Sequence, residues 1–270
     1  MNNQKNNITY KNSYFNVCKN LILSDLIIFK QMFIDKFIDV TIWVILTIFV
    51  TGYIMPSFGL QADFGVFQFG GILAAVGLFE LYSSVVDFVS DLQGDRVIDY
   101  NLTLPIPSWL AIASKAGYFF IIYFLLSLAL LPVGKVCLWN QLDLMKIDYI
   151  KLLLAIIVQN IFYACFAIWA ASVIDNMSKL GRVWSRFIFP MWFMGGFQFS
   201  WFSLYSVVPL IAWINLINPM IYVTEAMRVA LLGQADYLNF WLCLATITIF
   251  SIIILLAGLR NLKKRLDFVI

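Results

Sequence analysis

The stretch from Phe187 to Thr224 reads FIFPMWFMGGFQFSWFSLYSVVPLIAWINLINPMIYVT and contains no charged residue. It is almost twice as long as the roughly 20 residues that a membrane-spanning helix needs. Its backbone is interrupted by Pro190, Gly195-Gly196, Pro209 and Pro219. Because an interrupted backbone at membrane depth must be satisfied by surrounding protein or by a water-filled cavity, the stretch indicates a transport pathway rather than a simple anchor.

The composition of the whole chain is that of an integral membrane protein. Hydrophobic residues make up 62% of the 270 residues and charged residues only 12%, against about 25% charged residues in soluble domains. The chain has no His, which removes the commonest general base and metal ligand. Four Cys are scattered singly, so neither a metal site nor a disulfide framework is predicted. The net charge of +3 does not indicate a nucleic-acid partner.

Apolar runs of about 17–25 residues predict an all-α polytopic membrane protein that forms one domain over residues 1–270. Six spans are expected, at Phe37–Met55, Phe67–Val89, Ala116–Val133, Lys151–Ile174, Val183–Phe202 and Tyr237–Leu259.

The distribution of Lys and Arg predicts the orientation. If both termini are cytoplasmic, fourteen of the 18 Lys and Arg residues lie in inside segments, as expected for a multi-pass protein of the inner (cytoplasmic) membrane. An additional full span between Val183–Phe202 and the last span would place the basic C-terminal residues outside. The segment 203–233 is therefore predicted to be a re-entrant pair of short helices, with its turn at Asn218-Pro219.

An amphipathic helix is expected before the first span, over residues 14–34. Its apolar row, with spacings of three and four, consists of Phe15, Cys18, Ile22, Leu26, Phe29 and Phe33. A helix of this kind lies in the membrane interface. The alternative is that this row is an extended start of the first span.

The loop from Ser90 to Pro107 surrounds a short apolar helix with mixed charges and closes it with Pro105 and Pro107. Such a segment suits docking to a partner protein, although an ordinary solvated connector has the same composition. The chain has no G-x-x-x-x-G-K-[ST] phosphate loop. Any ATP hydrolysis is therefore expected in another polypeptide.

Two segments resemble the membrane subunit of type-2 ABC exporters, the permeases for polysaccharides, glycolipids and hydrophobic drugs. Gly94–Ile106 is similar to the coupling segment of that family, a Gly followed by an apolar run that ends in Leu-Pro-Ile. Asn218–Gly233 is similar to its signature, an Asn-Pro followed by an acidic residue, an Arg and a terminal Gly. The predicted span order agrees along the whole chain. Asp95 departs from the pattern, since many relatives have a small hydroxyl residue there.

The resemblance implies a permease that forms a homodimer or pseudo-dimer among membrane lipids, with two separate cytoplasmic ATP-binding subunits. ATP and Mg would be bound by those subunits, and this chain would carry no cofactor, metal or catalytic residue. The expected docking residues are Asp91, Gly94, Asp95, Arg96, Asp99, Tyr100, Leu104 and Pro105. The expected residues of the re-entrant gate are Asn218, Pro219, Tyr222, Glu225, Arg228 and Gly233.

Several side chains are candidates for the transport pathway. Glu80 lies near the middle of the second span, where a charge is costly unless it is paired, protonated or hydrated. It is either a pathway residue or proton-sensitive gate, or a neutral partner in a helix–helix hydrogen bond. Trp192, Phe193 and Phe197 offer aromatic faces for a substrate, but lipid-facing rings would look the same. Glu225 and Arg228 are one helical step apart, a spacing that allows them to pair, and such a pair would fix the re-entrant helix.

The sequence thus predicts one half of an ATP-driven exporter for an amphipathic or hydrophobic molecule. An ion-coupled secondary carrier is the alternative, although it would need acids on several helices. A lipid-modifying enzyme is a third possibility, with Asp91, Asp95 and Asp99 as its acids.

Overall fold

The computed structural model describes residues 2–61, 63–94 and 106–267, and these residues form helices and connecting loops without a strand. The helices are α1 Asn2–Phe49, α2 Phe64–Gln93, α3 Ser108–Cys137, α4 Tyr149–Val173, α5 Leu180–Val183, α6 Phe189–Met194, α7 Trp201–Val207, α8 Pro209–Asn215, α9 Pro219–Leu232 and α10 Phe240–Asp267. The predicted all-α polytopic fold class is confirmed.

Five of these helices, α1 to α4 and α10, are long and apolar enough to cross a membrane. They correspond to the predicted first, second, third, fourth and sixth spans, although α1 ends before Met55, α4 ends one residue before Ile174 and α10 begins three residues after Tyr237. The pair α8–α9 is bent by 96° and would be a sixth crossing if it were counted as one broken span. The described residues therefore contain five or six candidate spans, and the sixth begins in the uncharged stretch and ends beyond Glu225 and Arg228.

The first helix differs from the prediction, because residues 14–34 do not form a separate interfacial helix. They belong to the uninterrupted helix α1, which continues through a π-helical segment, Val50–Ile54, and a 3-10 turn, Met55–Phe58. No Pro or Gly lies near residues 35–37 to break the helix. The structure thus agrees with the alternative that the apolar row is an extended start of the first span. Gly59, with φ of 96°, ends the helical segment.

The predicted fifth span, Val183–Phe202, is also interrupted. It begins as the run α5, a π-helical segment Trp184–Ile188 and α6, which together extend about 22 Å at 1.5 Å per residue, less than the roughly 30 Å of the hydrocarbon core. The run ends at Gly195-Gly196, where Gly196 has φ of 75°. A Cβ on Gly196 would lie 2.6 Å from a side-chain carbon of Ile221, so this close approach to α9 requires glycine.

Helix α9 lies at the centre of the bundle, packed against α2, α4 and α10. Every residue from Met220 to Leu231 is buried. Hydrogen bonds tie the neighbouring helices together, since the Tyr163 hydroxyl donates to the Ala74 carbonyl at 2.6 Å and the Gln159 amide donates to the Leu73 carbonyl at 3.1 Å. The return half of the predicted re-entrant pair is therefore enclosed by protein rather than exposed to lipid.

The two ends of the bundle are called here the Gln93 end and the Asp148 end. At the Asp148 end, the Asp148 N–H donates to the Ala230 carbonyl at 2.9 Å, which joins the start of α4 to α9. The Asp148 carboxylate caps α4 by accepting from the Lys151 N–H at 3.1 Å, and this bond lowers the pKa of that carboxyl. At the Gln93 end, α2 finishes close to the loop that follows α4, and the Asn261 amide of α10 lies 3.5 Å from the Ser172 hydroxyl in the last turn of α4.

Candidate functional site: the re-entrant pair and its anchors

The turn between α8 and α9, the bent pair within the segment predicted to be re-entrant, lies at Asn218-Pro219, where the sequence placed it. The Asn218 side chain accepts from the Met220 N–H at 3.0 Å and so caps α9. Pro219 occupies the first turn of α9, where a missing N–H costs nothing. The Asn218 amide also donates to the Met191 carbonyl at 3.0 Å, which attaches the turn to α6.

The Glu225 carboxylate is fully buried on α9 and accepts two backbone hydrogen bonds. One comes from the N–H of Trp201, the first residue of α7, and the other from the N–H of Leu238, just before α10, each at 2.9 Å. The first N–H groups of a helix have no partner within the helix, and a helix N-terminus favours negative charge. Glu225 therefore fixes the start of α7 and the approach to α10.

Arg228 is fully buried one turn further along α9 and donates only to backbone carbonyls. The acceptors are Phe197 at 3.1 Å, Phe199 at 2.9 Å and Phe67 at 3.3 Å. The guanidinium carbon also lies 3.5 Å from the centre of the Phe67 ring. The side chain thus satisfies the irregular backbone of the 195–200 loop and attaches that loop to α2.

The predicted pairing of Glu225 with Arg228 is wrong, because the two are not among the ion pairs of the described residues. Arg228 and Glu225 are instead hydrogen-bonded to backbone groups on the two sides of the break between α6 and α7, and Glu225 also holds the segment before α10. Glycines on α2 make room for the arginine, since a Cβ on Gly70 would lie 3.0 Å from the Arg228 Cγ. A Cβ on Gly71 would lie 2.8 Å from the Phe197 carbonyl oxygen.

Other residues of the predicted gate lie on the same helix. The Tyr222 hydroxyl donates to the Leu216 carbonyl at 2.9 Å, which closes the α8–α9 turn. Thr224, which sequence reasoning did not single out, donates from its hydroxyl to the Gly195 carbonyl at 2.7 Å. Gly233 ends α9 with φ of 99°. The gate residues thus occupy one element, and their contacts are to backbone groups at the surrounding helix ends.

A polar cavity of about 600 Å³ lies beside these anchors at the Asp148 end. Its wall includes Phe67 and Phe199, whose carbonyls bind Arg228, together with Gln198, Asp236 and Tyr237. The interrupted backbone is therefore placed between a buried arginine and a space that can hold water, which is the setting in which such a backbone is stable at membrane depth.

Glu80 is paired across two helices rather than isolated within its span. Its carboxylate lies 2.7 Å from the Lys36 ammonium of α1, which also donates to the Ser83 hydroxyl at 3.0 Å. Both side chains are mostly buried, at 12% and 19% exposure. The charge that appeared isolated in the sequence is paired with a residue 44 positions earlier, which local spacing cannot reveal.

The aromatic pathway candidates pack mainly on one another. The Trp192 ring lies 5.0 Å from Phe193 and 5.1 Å from Phe197, measured between centroids. Phe197 is buried and Phe193 is half exposed, and the cavity beside the three rings holds only about 10 Å³. The rings form part of a packed aromatic cluster that also includes Trp43, 6.2 Å from Phe197, and Phe79, 5.7 Å from Trp192, measured between centroids.

Most of the predicted docking segment lies outside the described residues, namely Asp95, Arg96, Asp99, Tyr100, Leu104 and Pro105. Asp91 lies in the last turn of α2 and Gly94 directly follows that helix. The structure adds Gln93, which sequence reasoning missed: its amide donates to the Asp175 carbonyl and its oxygen accepts from the Met177 N–H. The base of the docking segment is thus attached to the loop that leads into the fifth run.

Comparison with known protein families matches residues 27–232 to the family described as ABC-2 type transporter. The match begins within α1 and ends at the last residue of α9, so it includes all the anchors described above. A search of curated proteins found no match to this chain.

Proposed function

Because the chain belongs to the ABC-2 type transporter family, we propose that it is the permease of an ATP-driven exporter that moves an amphipathic or hydrophobic molecule outward. A family member of this kind is a multi-pass membrane component that performs no catalysis itself, and membership implies an ATP-binding partner subunit. In the proposal, that subunit binds ATP and Mg, and two permease copies enclose the route of the substrate.

The observation that carries the proposal is the anchored re-entrant pair. The uncharged stretch could have formed a plain span, yet it breaks at Gly195 and again at Asn218, and three polar side chains of α9 satisfy the breaks. Burying a charged Arg and Glu to hold an interrupted backbone is costly in a membrane, and such residues mark transport routes. The adjoining 600 Å³ cavity supplies a polar exit for the substrate.

The orientation follows the positive-inside rule. In the inner membrane of a cell, the Gln93 end and both termini would face the cytoplasm. The Asp148 end would face outward. A subunit that docks on residues 94–106 would then push on α2. Because Gln93 holds the loop at Asp175–Met177, the same push reaches the fifth run. The exposed rings of that run, Trp184, Phe189 and Phe193 among them, suit a face against a second copy.

Purification from the native membrane in mild detergent tests the proposal. A soluble ATPase should remain bound in stoichiometric amount and should be lost on Arg96→Glu or Asp99→Arg. Lys146→Glu is the matched control, since Lys146 is an exposed charge at the opposite end. Recovery of the chain alone in several detergents and with trapped ATP would contradict the proposal and favour an ion-coupled carrier.

A further inference from the structure

A second cavity, of about 360 Å³, lies between α1, α2 and the fifth run, away from the anchors of α9. Its lining residues are Asp39, Val40, Trp43, Val76, Phe79 and Trp184. Three of the six are aromatic, two are valines, and one is an acid. Its walls are therefore apolar except at one carboxylate.

The aromatic walls form one continuous group. The Phe79 ring lies 5.2 Å from Trp43, at an interplanar angle of 79°, and 5.9 Å from Trp184, measured between centroids. Trp184 is 38% exposed and Trp43 is partly buried, so these rings leave surface for a further group. The face of an aromatic ring attracts cations, and Trp does so most strongly.

The charge of Asp39 is not used by the protein around it. Its side chain is exposed and has no hydrogen bond or ion pair with the other described residues. Lys36, one helical turn earlier, is held by Glu80 and Ser83. An acid within an apolar segment of a membrane protein is costly without a partner. Asp39 thus offers an uncompensated negative charge at the edge of an aromatic cavity.

We propose that this cavity binds a membrane-dissolved organic cation, with its ammonium or phosphonium centre near Asp39 and its apolar body against Trp43, Phe79 and Trp184. An acyl chain would leave the carboxylate without a partner, and an anion would be repelled by it. The inference rests on the proposed function and narrows its substrate to lipophilic cations. Export would begin at the side of the cavity where Asp39 lies, at the depth of the proposed inner leaflet.

Binding of radiolabelled tetraphenylphosphonium to the purified full chain in nanodiscs tests the site. We expect saturable binding that weakens about tenfold on Asp39→Asn, which equals about 1.4 kcal/mol, and recovers on Asp39→Glu. Trp43→Leu should weaken it about threefold. Asp35→Asn is the matched control, because Asp35 is an exposed acid of the same helix that does not line the cavity. The variants must elute as the wild-type chain does in size-exclusion chromatography.

Several results would overturn the inference. The first three are absence of saturable binding, an equal loss of binding in Asp35→Asn, and equal binding of tetraphenylborate, an anion of the same shape. The fourth is loss of cation binding in nanodiscs made of phosphatidylethanolamine, which would assign the cavity to a lipid headgroup. A change of oligomeric state in Asp39→Asn without cation binding would assign it to a second copy. If the cation binds but no ATPase co-purifies, the proposed function fails and the site stands; the reverse result refutes only the site.

Discussion

Exchanging the two buried charges of α9 distinguishes two explanations of their role: an ion pair with each other, or separate hydrogen bonds to the backbone. If Glu225 and Arg228 mainly bound each other, the double variant Glu225→Arg/Arg228→Glu would restore the pair and be more stable than either single reversal. In the structure they bind different backbone groups, so the exchange restores nothing. A guanidinium at position 225 would face two N–H donors, and a carboxylate at position 228 would face three carbonyl oxygens.

The cost of the exchange follows from the bonds it removes. Five hydrogen bonds between a charged side chain and the backbone are lost, and each is worth about 1.5–3 kcal/mol. Even the lower value gives about 7 kcal/mol, which lies within the 5–15 kcal/mol that holds a typical protein folded. Arg228→Lys is milder, because the ammonium keeps the charge and one of three bonds. Its expected cost is about 3–6 kcal/mol, or a fall of about 6–24 °C in thermal midpoint.

Each variant is fused to a fluorescent protein, solubilised in detergent and heated. Fluorescence-detected size-exclusion chromatography then gives its thermal midpoint. We expect no monodisperse peak from the double exchange and a lowered midpoint for Arg228→Lys. Arg260→Lys, at an exposed arginine of α10, is the matched control and should melt as the wild-type chain does. A double exchange that melts above both single reversals, or an Arg228→Lys within one degree of wild type, would refute the anchor argument.

Three further perturbations test the packing around these anchors by the same thermal assay. Gly71→Ala should destabilise the fold by about 1–3 kcal/mol, because its Cβ would press on the 195–200 loop. Gly181→Ala is the control and should not destabilise the fold, because the space around its Cβ is open. Equal thermal midpoints for the two variants would contradict this. Lys36→Met should lower the thermal midpoint more than Glu80→Gln does. The first variant leaves the mostly buried Glu80 carboxylate unpaired, whereas in the second the Gln amide oxygen still accepts the hydrogen bond from Lys36. The opposite order would contradict the importance of this pair. Asn218→Asp should retain the cap on α9 and lose only the bond to α6, so it should melt between wild type and Asn218→Ala, for which a lost cap costs about 1 kcal/mol.

The long spans could be predicted from sequence because each is an apolar run of about 17–25 residues, the length that crosses a membrane as a helix. Helices α2 and α3 contain their predicted spans, whereas α4 ends one residue before Ile174 and α10 begins three residues after Tyr237 and continues to Asp267. The turn at Asn218-Pro219 was equally readable, since the cap and the missing N–H are local properties of two adjacent residues. Gly195-Gly196 indicated a break within Val183–Phe202. The position of that break in the bundle depends on α9, against which Gly196 packs closely.

Tertiary partners could not be predicted, because spacing rules describe only neighbours on one helix. Spacing alone suggested a pair between Glu225 and Arg228, and left Glu80 without the lysine that lies 44 residues earlier. The amphipathic row at residues 14–34 predicted a separate helix, yet nothing in the sequence at 35–37 ends one. Gln93 carries no local signal at all, since its role depends on a loop more than 80 residues later.

The acid and the base of α9 have their positions for one physical reason. Each break in a membrane helix leaves N–H groups unpaired where a helix begins and carbonyls unpaired where one ends, and lipid offers no hydrogen bonds to either. A carboxylate can only accept and a guanidinium can only donate. Glu225 therefore stands at the start of α7 and before α10, and Arg228 stands at the carbonyls beyond α6. The same requirement ties the segment 191–201 to α9, because separating them breaks the five hydrogen bonds that Asn218, Thr224, Glu225 and Arg228 make to its backbone. A push that enters at Gln93 must therefore either carry α9 along or open the 600 Å³ cavity, where water can take over those hydrogen bonds.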